Sequence, residues 1–480
     1  MDFESIASAI PPPGPSGGQP TVSVVLPGGA PHPGRATPFV GQSGALRPWT
    51  RRLLRVVPVE NAAAGEGVAG TPGLASQRWR TLGEEGRSIV SGIEVLFVEA
   101  GFVAPVRTAA GTHRSRPLVF VRVVTDAGEG WGECAALADT TYDREDAATA
   151  FRTLTTAGVP RLVGSAGASG GRLPTPGRCA TVVAAAGCGP LASAAVEMAV
   201  GDAHLRSAGQ SLASCVSGRA EGSAPAATRA SVGGVLGMGA DVGALLEAAD
   251  RLVSEGMSRL KVKIAPGYDV EPLTAVRDRY PRVGLQADAN GSYAGVPGGP
   301  PLALDDLDLV CVEQPLGVGD FDGHARLAEA RSTPICLDES LDSAASVRRA
   351  LALGACSVVC VKPARLGGIG QALEACEAVT GLGFPLWIGG MFESGYGRAA
   401  NAGIATGPGR WLPGDLSRPS GYLEHPVTDD PEYVRAGAGG FPPPGGPLQL
   451  VVPSGPGLAP PPEPARLRPW CRQRRWFPRR

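Results

Sequence analysis

Five charged side chains follow short apolar runs at a nearly constant interval: Lys263, Asp288, Glu313, Asp338 and Lys362 are separated by 25, 25, 25 and 24 residues. One strand, one helix and two turns occupy about that length, so the interval reads as a βα unit. Consecutive parallel strands joined by right-handed crossovers close into a barrel, and the ends of all its strands meet at one mouth. Residues placed just after successive strands therefore converge in space. The candidate strands number eight, "TRASVGGVL", "RLKVKI", "VGLQAD", "DLVCVEQ", "TPICLDE", "SVVCVKP", "PLWIGG" and "RWLPGD". The fold class is α/β, a βα barrel. Helical stretches such as "DVGALLEAADRLVSEG" and "IGQALEACEAVTGLG" separate the strands, whereas "GSYAGVPGGPPLALDDL" after Asn290 is too rich in Gly and Pro to make a good helix.

Lysine use sharpens the reading. Of 44 Lys+Arg residues only Lys261, Lys263 and Lys362 are lysine. Arginine stays protonated at any accessible pH, whereas a lysine ammonium in the right surroundings gives up its proton and then acts as a base. In "RLKVKI" the strand period of two sends Lys261 and Lys263 to one face and Leu260, Val262 and Ile264 to the other. The apolar set suits the surrounding helices, which leaves both ammonium groups in the barrel mouth. Two ammoniums so close, beside a metal ion, are expected to lower each other's proton affinity, so that one can act as a base. Lys362 enters four strands further round.

Asp288, Glu313 and Asp338 taken singly read as solvated loop acids, or, for Asp338, as a cap for the helix beginning near Ala344. Taken together they converge, and three converging carboxylates call for a cation. Hard oxygen ligands favour Mg²⁺, with Mn²⁺ as the alternative. A substrate carboxylate beside that ion would lie between Lys263 and Lys362, and its α-proton would be accessible from either face. The expected chemistry is proton abstraction next to a carboxylate.

Outside the barrel the composition shifts. Residues 1–88 are dominated by Pro and Gly without a sustained period and read as a disordered extension. Residues 89–226 combine strands ("SGIEVLFVEAGFVAPV", "RPLVFVRVVTDAGEGWGECAAL") with helices and read as an α+β domain; 227–415 form the barrel, 416–467 a segment returning to the α+β domain, and 468–480 a basic tail with a solvated end. From Ala180 to Gly201 only Glu197 is charged, but the stretch is rich in Ala and Gly and interrupted by Pro190, so a buried helix from about Leu191 is expected rather than a membrane span.

Near-neutral charge, Lys+Arg 44 against Asp+Glu 45, gives no reason to expect nucleic acid or a membrane surface as a partner. Ten cysteines without CxxC pairs fit reduced thiols, and the start, MDFESIASAIPPPG, has no signal segment, so the cytoplasm is the expected compartment. No Gly-Lys dipeptide makes a P-loop, "GVLGMGADVG" departs from dinucleotide spacing, and five isolated histidines make no zinc cluster. The oligomeric state is left open.

The motifs resemble the enolase superfamily, and within it the branch of o-succinylbenzoate synthases and N-succinylamino acid racemases. The resemblance runs from about Ser91 to about Leu467 and is carried by Lys261-x-Lys263, "DAN" at Asp288–Asn290, "EQP" at Glu313–Pro315, "DES" at Asp338–Ser340, "KPARLGG" from Lys362 and "GGMFESGYGRAAN" from Gly389. It implies a modified TIM barrel, (β/α)7β, with an α+β capping domain whose loops close over the substrate. It further implies Mg²⁺ on Asp288, Glu313 and Asp338, Lys263 as the base, Lys261 as electrostatic support, and Lys362 as the stabiliser or opposite acid. Asn290, Gly389, Gly390, Met391 and Ser394 are implied to lie by the substrate, a small carboxylate.

The activity implied is magnesium-dependent dehydration of 2-succinyl-6-hydroxy-2,4-cyclohexadiene-1-carboxylate to 2-succinylbenzoate in menaquinone synthesis. Racemisation of N-succinylamino acids is the alternative, dipeptide epimerisation a weaker one, and a catalytically dead barrel kept for binding is the reading from another class. Phe392 and Tyr396 are bulkier than the aliphatic residues expected in this branch, which bears on the size of the substrate.

Overall fold

The computed structural model describes residues 75–86, 88–108, 111–218, 229–437 and 446–479. Most of the expected amino-terminal extension lies outside these residues. The helix Ala75–Arg80 does not: it buries Trp79 and closes part of the stretch read as unstructured.

The first domain is built on alternation. β1 (Val90–Glu99), β4 (Pro117–Thr125) and β5 (Gly128–Cys134) form an antiparallel sheet, and a hairpin of β2 (Val106–Thr108) and β3 (Gly111–His113) projects from it. The helix Pro190–Ser207 lies against this sheet and buries every residue from Leu191 to Leu205, which is why the sequence there has no polar stripe. Gly189 gives that helix no capping side chain; Glu145 supplies one from a distance, accepting from the Leu191 amide at 2.8 Å and the Ala192 amide at 3.3 Å. Among the described residues no helix is long and apolar enough to cross a membrane.

The carboxyl-terminal tail corrects the expectation of a solvated end. Cys471–Pro478 is a strand paired antiparallel with β1 and forms the edge of the same sheet. Arg474 meets Glu94, which is buried, and Phe477 packs on the domain core, so the alternation in "CRQRRWFP" holds charges and one ring against β1. A run of arginines read by composition alone hides that period.

The barrel follows a short strand, β6 (Arg229–Ser231). Its eight parallel strands are β7 (Gly234–Leu236), β8 (Arg259–Lys263), β9 (Gly284–Asp288), β10 (Val312–Glu313), β11 (Ile335–Leu337), β12 (Val358–Val361), β13 (Pro385–Ile388) and β14 (Arg410–Trp411). All eight expected strand segments contribute, and the unit after Asn290 carries only the 3-10 turn Leu302–Asp306 where a helix would stand. The Gly233 amide donates to the Gly414 carbonyl at 2.7 Å and the Gly414 amide to the Ser231 carbonyl at 2.9 Å, which closes the last strand onto the first. Two further strands, β15 (Tyr433–Arg435) and β16 (Leu448–Val451), join β6 in a small antiparallel sheet, and the Leu448 amide donates to Gly256 at 2.7 Å. The segment after residue 415 thus packs on the barrel, and beyond β16 it also reaches the first domain, where Leu458 donates to Asp202 at 2.7 Å.

Candidate active site

Register brings the charged residues together. Lys263 lies opposite Asp288, and Asp288 opposite Glu313, so three consecutive strands present them side by side. Leu260, Val262 and Ile264 are buried in the core between barrel and helices, leaving the lysines to the interior. Asp288, Glu313 and Asp338 are all buried, as are Lys261 and Lys362.

Each ammonium has its own carboxylates. Lys263 Nζ donates to Asp288 Oδ2 at 2.6 Å and to Asn290 Oδ1 at 2.8 Å. Lys261 Nζ lies 2.7 Å from Asp415 Oδ2, 3.2 Å from Asp288 Oδ2 and 3.3 Å from Glu313. Lys362 Nζ donates to Asp338 Oδ2 at 2.7 Å. Carboxylates therefore surround Lys261 as well as its lysine neighbour. Burial alone would lower Lys261, but Asp415, Glu313 and Asp288 hold it well above the ordinary lysine value. Lys362 is raised in the same way by Asp338 against the pull of burial.

The acids differ among themselves. Burial pushes Glu313 well above the usual carboxylate range, and the neighbouring Asp288 charge adds to the push. Asp338 is held below that range: burial would raise it, but Arg365 and Lys362 beside it prevail. Asp338 does not cap the following helix. Ser343 does, through a reciprocal pair with Ser346.

Several partners escaped the sequence reading. Asp415, just past β14, binds Lys261 and Arg259, and the buried Gln286 donates to Glu313 while accepting from Arg259 at 2.5 Å. Asp415 was findable, because it ends "RWLPGD" as Asp288 ends "VGLQAD". Arg365 pairs with Asp338 and, at 3.2 Å, with Asp143. Tyr142 donates to Asp338 at 2.8 Å and accepts from Lys362. Tyr142 and Asp143 come from the capping domain, so only domain docking brings them here.

The candidate substrate residues divide. Asn290, at φ 46°, accepts from Lys263 and donates to Glu339 Oε1 at 2.7 Å. Gly389 and Gly390 serve close packing: a Cβ at Gly389 would stand 2.6 Å from Cys360 Sγ and 2.8 Å from Lys362, and one at Gly390 would stand 2.5 Å from Arg398. Met391 packs in the capping-domain core, and its carbonyl accepts from the buried Arg116 at 3.0 Å. Ser394 is engaged by Glu133, its amide donating to Oε1 at 2.9 Å and its hydroxyl to Oε2 at 2.5 Å. Tyr396 is buried and donates to the Trp131 carbonyl at 2.5 Å, so its bulk joins the two domains. Phe392, at φ 55°, meets Phe102 and Tyr422 edge to face with centroids 5.1 and 5.4 Å apart.

The donor set suits a hard divalent cation. Three carboxylates stand at the ends of adjacent strands, and Glu339 Oε2 beside Asp338 is buried with no hydrogen-bond partner among the described residues. Among the described residues, Glu313, Asp338 and Cys360 each offer an atom within 4.8 Å of the others, while Asp288 turns to the lysines.

Comparison with known proteins agrees with this geometry. Residues 92–216 match the mandelate racemase / muconate lactonizing enzyme N-terminal domain, and residues 244–459 match the enolase C-terminal domain-like family. An N-succinylamino acid racemase from Amycolatopsis sp is 39% identical over 380 residues, which are 79% of this chain and 96% of that protein. An o-succinylbenzoate synthase from Geobacillus stearothermophilus is 36% identical over 335 residues, 70% of this chain and 86% of that one. The chain belongs to the o-succinylbenzoate synthase and N-succinylamino acid racemase branch of the enolase superfamily. The crystal structure of an enolase-superfamily member from Listeria innocua superposes with a TM-score of 0.70 at 27% identity, covering 82% of this chain and all of that one. Asp415, Arg365 and Tyr142 reach the evenly spaced residues because the mouth of the barrel is finished by the last strand, a loop and the capping domain.

Proposed function

We propose that the protein is an o-succinylbenzoate synthase, a hydro-lyase acting on a cyclohexadiene carboxylate, with Lys263 and Lys362 as its proton-handling groups. The supporting observation is that two ammoniums from strands four apart are each tethered to a different carboxylate, Asp288 and Asp338, on either side of Glu313.

Asp288, Glu313 and Asp338 would hold Mg²⁺, or Mn²⁺ in its place. When bound, the ion supplies positive charge that makes the α-proton of a neighbouring carboxylate more acidic. Lys263, in its neutral form, takes that proton; the C–H electron pair moves into the ring system, and the β C–O bond breaks. The departing hydroxide leaves as water with a proton from a lysine ammonium, so the balance is loss of one water. Lys261, held by Asp415, keeps a fixed positive charge beside Lys263. Lys362 faces the substrate from the other side. Capping-domain residues Tyr142 and Asp143 close the site around Asp338 and Arg365.

Racemisation of N-succinylamino acids is the second reading, favoured by the 39% identity to the Amycolatopsis racemase. It uses the same abstraction and returns the proton from the opposite face. Incubation of the purified protein with each substrate and Mg²⁺ separates the two: formation of 2-succinylbenzoate is expected, and its absence overturns the synthase reading. In Lys263→Arg a guanidinium replaces the base, and turnover should fall by about 10²–10⁴-fold; full activity would refute the role of Lys263.

A further inference from the structure

Sulfur lies at the floor of this site. Cys311, Cys336 and Cys360 stand two residues before Glu313, Asp338 and Lys362, on the same inward face of their strands. The three cysteines are buried together among Val310, Val358, Trp387 and Leu412. Barrel shear sets Cys360 apart from the other two. β11 and β12 pair Leu337 with Val359, so the next residues along, Asp338 and Cys360, are neighbours. Cys360 Sγ and one carboxylate oxygen from each of Glu313 and Asp338 lie within 4.8 Å of one another. Cys360 is 2% exposed, and Gly389 leaves it the room a Cβ would take.

We propose that Glu313, Asp338 and Cys360 form a mixed oxygen and sulfur site for a thiophilic divalent ion of the zinc or cadmium class. This rests on the reading of the acids as cation ligands and goes beyond it in naming a sulfur ligand. Tetrahedral ligands at about 2.0–2.3 Å from zinc stand roughly 3.3–3.8 Å apart, so contraction of the group by at most about 1.0–1.5 Å completes three positions. Mg²⁺ takes oxygen ligands and leaves the thiol protonated, whereas softer ions select thiolate. On binding, the S–H bond gives way to an S–metal bond, its electron pair stays on sulfur, and one proton passes to solvent; nothing is oxidised. Such an ion sits towards β12, away from Asp288 and Lys263, and competes with Mg²⁺ for Glu313 and Asp338. Zinc-class ions therefore act as inhibitors through a residue that the Mg²⁺ reaction does not need as a ligand.

Titration of the metal-free full chain with cadmium chloride tests this by ultraviolet absorbance. A thiolate-to-cadmium charge-transfer band is expected, displaced by excess Mg²⁺. In Cys360→Ser the band should vanish and cadmium affinity relative to Mg²⁺ should fall about 10–100-fold, whereas Cys336→Ser should keep the band. X-ray absorption on the zinc-loaded wild-type chain needs no variant and should show one sulfur at about 2.3 Å. An oxygen-only shell, or a band that persists in Cys360→Ser, overturns the proposal while leaving the carboxylate site standing. Calorimetry in which neither Mg²⁺ nor Cd²⁺ binds overturns the carboxylate reading as well.

Discussion

Tyr142 donates its hydroxyl hydrogen to Asp338 Oδ2 at 2.8 Å, on the oxygen that also receives Lys362 Nζ at 2.7 Å. One phenol from the capping domain thereby fixes both a candidate metal ligand and a candidate acid of the barrel. Its ring also lies 4.7 Å from the Lys362 nitrogen and 5.0 Å from the Arg365 guanidinium, so it carries cation–π contacts as well as the hydrogen bonds.

Tyr142→Phe keeps the ring and removes the hydroxyl. A hydrogen bond to a charged group is worth about 1.5–3 kcal/mol, so kcat/KM should fall about 10- to 150-fold. Steady-state kinetics checks this, and circular dichroism should show an unchanged fold.

Chelation should abolish activity, and added Mg²⁺ should restore it. Glu313→Gln should weaken Mg²⁺ binding by about 10²-fold or more, since even outer-shell partners of a metal contribute 10–100-fold. Calorimetric titration with Mg²⁺ reads this without reference to turnover.

Glu197 sets a pH dependence of stability. It accepts from Trp79 Nε1 at 2.9 Å, the Ile369 amide at 2.5 Å and the Gly370 amide at 3.0 Å, tying the helix Pro190–Ser207 to the start of the barrel helix Ile369–Gly381. Burial raises its carboxyl to about 7 although these donors pull the other way. The folded form therefore binds more protons than the unfolded chain between about pH 4.5 and 7, and this group's contribution to stability falls as pH rises through that window. The shift corresponds to roughly 3 kcal/mol. Urea unfolding at several pH values should show a stability that falls more steeply across this window in the wild type than in Glu197→Gln, where the buried Glu145, also raised to about 7, still contributes.

Removal of residues 468–480 strips Cys471–Pro478 from β1 and leaves Glu94 without Arg474. A loss of at least ~2 kcal/mol is expected, which lowers Tm by about 5 °C or more at roughly 2–4 °C per kcal/mol. Differential scanning calorimetry of the truncated chain checks it; an unchanged Tm would mean the edge strand adds nothing.

Periodicity determined the barrel. Eight apolar runs, the 25-residue interval and the two-residue alternation in "RLKVKI" are local properties, so the strands, their inward lysines and the placing of Asp288, Glu313 and Asp338 at successive strand ends followed from the sequence by itself. Tertiary structure decided the rest, because it depends on which segments dock. Nothing in "TTYD" announces that Tyr142 will reach Asp338, nothing in an arginine run announces an edge strand against β1, and the shear that sets Cys360 beside Asp338 exists only once the barrel closes. The surroundings of Lys261 belong to the same class: along the chain its near charged neighbour is another lysine, but in the fold three carboxylates from other strands surround it. Charge interactions act through distance in space, and a sequence records distance only along the chain.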